Sequence, residues 1–146
     1  MKLERLSPFN SADGHVGRTT PGIDASSVVK AGNRIFMSGQ TGQPIGGALP
    51  DTTDPAELAE RAVESVSVLL GEAGATLADV CKVTTWLTDK AYRPAVYNMV
   101  NRSLSAEPTV GTGIVTKGLA LPGMMCNLGI EAVIPGPEGH KRYREF

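Results

Sequence analysis

The chain has 146 residues, of which 41% are hydrophobic and 20% charged, with a formal net charge of -1. This balance describes one globular domain over residues 1–146 and excludes a disordered chain. It also excludes a general attraction to nucleic acid or to an anionic membrane.

No apolar run approaches the roughly 18 residues of a spanning helix. The first five residues lack the apolar core of a signal peptide, so a cytoplasmic protein is expected. Cys81 and Cys126 both lie in apolar strand patterns and are expected as buried, reduced thiols. There is no CxxC spacing, and His15 and His140 both lie in loop-like sequence, so no metal site is expected.

In chain order, residues 2–6 read as a short edge strand. Residues 7–26 read as a long loop from Pro8, Asn10, Gly14, Gly17, Pro21 and Gly22. Loops of this length in small domains are often functional, and this one carries His15 and Arg18. Residues 27–31 and 34–39 form two apolar runs joined at Gly32-Asn33, a hairpin signal. A turn-rich stretch follows over residues 41–51.

The clearest helix starts at Asp54, a good N-cap, with Pro55 in the first helical position and Glu57 placed for a reciprocal capping contact. Ala59, Ala62, Val63, Val66, Leu69, Leu70 and Ala73 form one apolar stripe, and Gly74 supplies the stop.

Residues 80–89 are dense in β-branched and aromatic side chains and read as a central strand. Alternation places Cys81, Val83, Thr85 and Leu87 on one face and Lys82, Thr84, Trp86 and Thr88 on the other. Residues 92–104 read as a second helix, with Pro94 in its first turn and Tyr97, Val100 and Leu104 as its apolar line. Asn98 lies off that line.

Residues 109–116 form a strand with Gly111 and Gly113 on one face, which suggests close approach of a ligand or another chain segment. The last strand, residues 125–134, puts Cys126, Leu128, Ile130, Ala132 and Ile134 on one face and Asn127, Gly129 and Glu131 on the other. Residues 135–146 are a basic tail. The order β-β-β-α-β-α-β-β predicts an α+β domain, a single mixed sheet with two helices packed on one face. The other face is expected to carry Trp86 and the pair Gly111 and Gly113, and an apolar face left open implies a closed homo-oligomer.

Four segments in order resemble the RidA/YjgF family, also labelled endoribonuclease L-PSP. Gly32-Asn33-Arg34-Ile35-Phe36-Met37-Ser38-Gly39-Gln40 is similar to its GN-x-IF-x-SGQ segment. Residues 74–84, with Asp79-Val80-Cys81-Lys82, are similar to AG-x-x-x-x-DVVK-x-T. Trp86-Leu87-Thr88-Asp89 resembles FLTD, and Ile130-Glu131-Ala132 resembles the closing IEA. The likeness runs across residues 28–134.

The resemblance implies a YjgF/chorismate-mutase-like fold and a homotrimer with a sheet-lined central barrel and three clefts between subunits. It also implies hydrolysis of enamines and imines, such as 2-aminoacrylate, to a keto acid and ammonia, with no metal or organic cofactor. By the resemblance, Ser38 and Gly39 line the cleft, Asn98 is the cleft asparagine, and Glu131 positions or activates water. Two positions depart from the family. Its carboxylate-binding arginine, in a P-A-R-S segment, is Val110 in Pro108-Thr109-Val110-Gly111, and valine cannot make a bidentate clamp. The cleft tyrosine aligns with Ala25, and the cysteine two past the arginine becomes Thr112.

Hydrolysing an imine requires a water to be deprotonated and a nitrogen protonated, which one carboxyl group can do in turn. The candidate catalytic residues are Glu131, Asn98 and Thr112. Ser38, Gly39, Val110, Gly111, Asn127 and Trp86 are the candidate substrate-binding residues, with Asn127 placed to hold Glu131 or a substrate carbonyl. The expected function is a RidA-like hydrolase or deaminase with altered substrate preference. The alternative is a non-catalytic small-molecule-binding or regulatory trimer. Near-neutral charge and 5% aromatic content argue against a ribonuclease.

Overall fold

Among the described residues, six strands form one sheet in the order β1-β2-β3-β6-β4-β5, and two α-helices lie against it. The strands are β1 Leu3–Phe9, β2 Ala25–Ala31, β3 Arg34–Gln40, β4 Val80–Leu87, β5 Val110–Val115 and β6 Cys126–Val133. The helices are α1 Pro55–Glu72 and α2 Arg93–Ser103. The computed structural model describes residues 1–9, 25–44, 47–104, 108–137 and 139. His15, Arg18, His140 and the basic tail lie outside the described residues.

Only β4 and β5 pair in parallel; the other ladders are antiparallel. This arrangement follows from two helical crossovers, β3-α1-β4 and β4-α2-β5, with β6 returning between β3 and β4. The last strand to be made thus sits between two earlier ones, and Glu131 gains neighbours on both sides.

Strand pairing runs from Leu3↔Ala31 to Phe9↔Ala25, so the expected loop over residues 7–26 is shorter at both ends. Pro8 lies on β1, an edge strand, the kind of strand to which proline is confined in sheets.

In α1, the Asp54 carboxylate accepts from the Ala56 N–H at 3.0 Å and Gly74 adopts φ +81°, as the sequence signals require. The expected capping contact from Glu57 is not made. The Asp54 N–H donates to the Thr52 hydroxyl, and Glu57 accepts from Thr52 Oγ1 at 2.8 Å and from Arg61. Those two partners, Thr52 first, hold the Glu57 carboxyl below the usual range.

The stripe of α1 closes on the sheet. Leu58, Leu69 and Leu70 are fully buried against Val28, Ile35, Leu128 and Cys126. Each such side chain contributes about 1.5–3 kcal/mol of burial. Val96 and Val100 anchor α2; Val96, outside the expected apolar line, is the more buried of the two. No described buried side-chain polar atom lacks a partner.

One face assignment in β4 is corrected. A bulge lies between Val80 and Lys82 in the ladder to β6, so Val80 takes the core position and Cys81 is exposed. Alternation holds beyond it: Val83, Thr85 and Leu87 are buried, while Lys82 and Trp86 face away from the helices. Cys126 is buried as expected, and burial pushes its thiol from the ordinary 9.0 up to about 12. The strand also ends at Leu87, not Asp89. Asp89 leaves the ladder to cap the next turn, accepting from the Ala91 N–H at 2.8 Å.

Candidate functional site

The face of the sheet away from the helices is built from cross-strand rows. Register puts Phe36 beside Glu131, Glu131 beside Lys82, and Lys82 beside Val110. The next row is Gly129, Thr84 and Thr112, and the third is Asn127, Trp86 and Ile114. Neighbouring strands lie about 4.8 Å apart, and same-face residues along a strand about 6.8 Å apart. The first row therefore forms one continuous surface of ring, carboxylate, ammonium and isopropyl group.

Within it, Lys82 Nζ stands 3.9 Å from Glu131 Oε2, with both side chains about half exposed. The Arg34 guanidinium lies 5.5 Å from the Phe36 ring centroid at one end. Val110 is 65% exposed at the other, and Phe36 and Trp86 are each 38% exposed.

A second cluster forms where β3 slips against β6. The register shifts between Met37 and Gln40, which sets Ser38 and Gly39 in a bulge. The Gln40 side-chain N–H donates to the Ser38 carbonyl at 2.8 Å and to its hydroxyl at 3.3 Å. The Asn127 carboxamide occupies the space a Cβ on Gly39 would need, so a larger residue there would displace Asn127. Ser38, Gly39, Asn127 and Trp86 thus form one patch.

These clusters are not one site within a single chain. Asn127 and Glu131 are four residues apart on an extended strand, roughly 13 Å, so Asn127 does not hold Glu131 as expected. Thr112 lies two strands from Glu131 and one row along. Asn98 is exposed on α2 and is not among the residues lining the nearby groove. Gly111 and Gly113 are not on the open face with Trp86 as expected: they pair with the buried Val83 and Thr85, lie on the helix side and line that groove.

The groove has a volume of about 210 Å³ and runs between α2 and the β4–β5 pair, with Thr85, Tyr97, Val100 and Asn101 on its walls. The two glycines of β5 differ. The Tyr97 hydroxyl fills the place of a Cβ at Gly113, whereas nothing stands within 4 Å of that place at Gly111.

The sequence reading did not single out Lys82 for the site. The signal was present: it shares the alternating face of Trp86 and immediately precedes Val83 in the segment matched to the family. No group of three or more His, Cys, Asp or Glu residues among the described residues is placed to hold a metal ion.

A mixed sheet with β6 threaded between two helical crossovers, helices on one side and a mixed polar and apolar face on the other, is a YjgF-type architecture. Solved structures share it. The Thermotoga maritima protein TM0215 aligns over 82% of this chain and 91% of its own at 28% identity, with a TM-score of 0.71. Yeast Mmf1 aligns over 90% and 98% at 19% identity, TM-score 0.74. RidA of an Antarctic Psychrobacter aligns over 79% and 92% at 24% identity, TM-score 0.68.

Residues 22–125 match the endoribonuclease L-PSP family, and the chain belongs to that family, the RidA/YjgF group. A RutC family protein of Pyrococcus abyssi is 39% identical over 70 residues, which is 44% of this chain and half the length of that relative. No helix among the described residues is long and apolar enough to cross a membrane.

Proposed function

We propose that the chain is a RidA-like hydrolase that cleaves the C=N bond of an enamine-derived or imine intermediate, releasing a carbonyl compound and ammonia. It works without a cofactor, at clefts between the subunits of a homotrimer. The observation that carries this reading is Glu131, the one carboxylate on the open face of β6, flanked by Phe36 and Lys82.

In the reaction, Glu131 takes a proton from water as the oxygen adds to the imine carbon. It returns that proton to nitrogen, giving a carbinolamine, then takes the hydroxyl proton and passes it to the same nitrogen as the carbonyl forms and the C–N bond breaks. Ammonia leaves and the carboxylate is regenerated. Assembly is part of the reading, because Asn127, in its patch with Ser38 and Gly39, lies about 13 Å along its strand from Glu131 within one chain, too far to share a small substrate with it. A neighbouring subunit brings such a patch to the first row, and it covers the exposed Phe36, Trp86 and Val110. Where the family's deaminating members are expected to carry an arginine, Val110 offers no fork. Substrate preference therefore shifts away from compounds that need bidentate carboxylate binding.

The test is ammonia release from enamines and imines generated in situ, carboxylated and neutral, with Glu131→Ala as the control. Turnover that falls about 100-fold or more in the variant while the oligomer persists is expected. Full activity in Glu131→Ala removes Glu131 from the mechanism. Val110 also favours a second reading, a small-molecule-binding or regulatory trimer. A compound that raises the melting temperature without being consumed supports it.

A further inference from the structure

We propose that the groove between α2 and the β4–β5 pair is a second ligand site, separate from the Glu131 face. It takes a small uncharged molecule, a short aliphatic chain bearing a carboxamide or hydroxyl groups. The site lies on the opposite face of β4 and β5 from Lys82 and Glu131, and it stands whether or not Glu131 is catalytic.

The groove exists because β5 lacks side chains on its helix side. Gly111 and Gly113 pair with Val83 and Thr85, so that side of β5 is bare backbone at both positions. At Gly113 the Tyr97 hydroxyl comes down onto the backbone and fills the place of a Cβ. At Gly111 nothing stands within 4 Å of that place, and the strand is left uncovered. Elsewhere on the same side of the sheet, Leu87, Leu128 and Ile130 are each 3% exposed or less. Bare strand backbone beside a filled layer is the setting in which a ligand approaches a strand closely.

The walls define the occupant. The volume of about 210 Å³ is below the roughly 300–1,000 Å³ of sites for drug-sized molecules, so the ligand is small. Val83 and Val100 supply an apolar wall, and Thr85, Asn101 and Thr109 a polar one. No charged side chain is among the lining residues, so an ion entering the groove gives up hydration without meeting a counter-charge.

Thr85 is the polar group set deepest. It is 5% exposed, yet its side chain makes no hydrogen bond among the described residues. No described buried side-chain polar atom lacks a partner, so this unbonded hydroxyl is itself open to the groove. The side chains of Asn101 and Thr109 likewise bond to no described residue. A carboxamide and a hydroxyl can each donate and accept. A molecule carrying either pairs with Thr85 and Asn101 while its carbon chain lies on Val83 and Val100.

The experiment is a methyl NMR titration of the full chain with butyramide and with 1,2-butanediol, read at Val83 and Val100. Butyrate and butylammonium serve as charged counterparts of the same length. Thr85→Val removes the hydroxyl and keeps the shape, and Gly111→Val fills the groove; circular dichroism and melting temperature check folding. Saturable shifts at both valines with at least one neutral probe are expected, with the charged counterparts about tenfold or more weaker. The neutral probe that responds more strongly separates the carboxamide from the alcohol. Binding should weaken about three- to tenfold in Thr85→Val, as for one lost hydrogen bond, and vanish in Gly111→Val. The proposal is overturned if neither neutral probe shifts Val83 and Val100, if the charged counterparts bind equally well, or if Thr85→Val keeps full affinity. Should Gly111→Val not fold, Thr85→Val decides alone.

Discussion

The two faces of the sheet obey the same alternation and reach opposite ends. On the helix side, every second residue of β6 (Cys126, Leu128, Ile130 and Ala132) is buried to 3% exposure or less. On the other side, Phe36, Trp86 and Val110 remain exposed beside the Lys82–Glu131 pair. The helix face is complete within one chain. The open face has exposed apolar groups beside a half-exposed ion pair, and on the reading proposed above a neighbouring subunit covers it. If the proposed function holds, stability and chemistry are separated by a single strand thickness, and substitutions on the two sides should fail in different ways.

The largest effect on the fold is expected from Leu69→Ala. Leu69 is fully buried between α1 and the sheet, and truncation there costs about 2–5 kcal/mol in urea unfolding. A loss below about 1 kcal/mol would show that the helix face is not the tightly packed side.

Gly113→Ala comes next. The new methyl group meets the Tyr97 hydroxyl, and Tyr97 is held under Arg93, whose guanidinium lies 5.8 Å from the ring centroid. Displacing that side chain costs about 1–3 kcal/mol. Gly111→Ala, with nothing within 4 Å, should be close to neutral. Equal losses at both glycines would mean that β5, and not Tyr97, demands them.

The faces also differ in thiol chemistry. Cys126 is buried and its thiol is raised to about 12, while Cys81 is exposed. Native labelling with a thiol reagent should modify Cys81 and spare Cys126. The sign of the pH effect follows from the same shift. Between pH 9 and 12 the unfolded chain releases a proton that the folded chain keeps. The contribution of Cys126 is thus fully present below pH 9 and falls by about 1.4 kcal/mol per pH unit above it. Cys126→Ala should remove that slope in an otherwise matched stability profile.

Much of this was legible in the sequence because it is local. The Asp54 cap, the α1 stripe, the Gly74 stop and the hairpin at Gly32-Asn33 each depend on neighbours in the chain, and each forms where expected. The face of Cys81 was misread because a bulge is set by the partner strand. Nothing in Val80-Cys81-Lys82 marks the extra residue. The same limit hid Lys82. Its place between Glu131 and Val110 comes from β6 inserting beside β4, a pairing of residues 49 apart in sequence. Asn127 and Glu131 were correctly put on one face, yet period-two alternation does not say that four residues of strand keep them apart.

The sharpest comparison is expected from Phe36→Ser combined with Trp86→Ser. Each ring is 38% exposed, so part of its area is already covered within one chain, and in the dissociated chain the pair should cost about 1–3 kcal/mol of unfolding free energy. If the open face is completed by neighbouring subunits, the same pair of substitutions removes the apolar area they bury. Light scattering after size exclusion should then shift from the trimer mass to the monomer mass, with the helical circular dichroism unchanged. Ammonia release should fall together with assembly, because Glu131 and Lys82 remain in place but lose the patch a neighbour provides. A trimer that survives both serines would put the contact elsewhere on the chain, with β5 as the next place to look, since it is an edge strand exposed along most of its length. Full activity in a monomer would show instead that the first row, from Phe36 to Val110, suffices for the reaction without a second subunit.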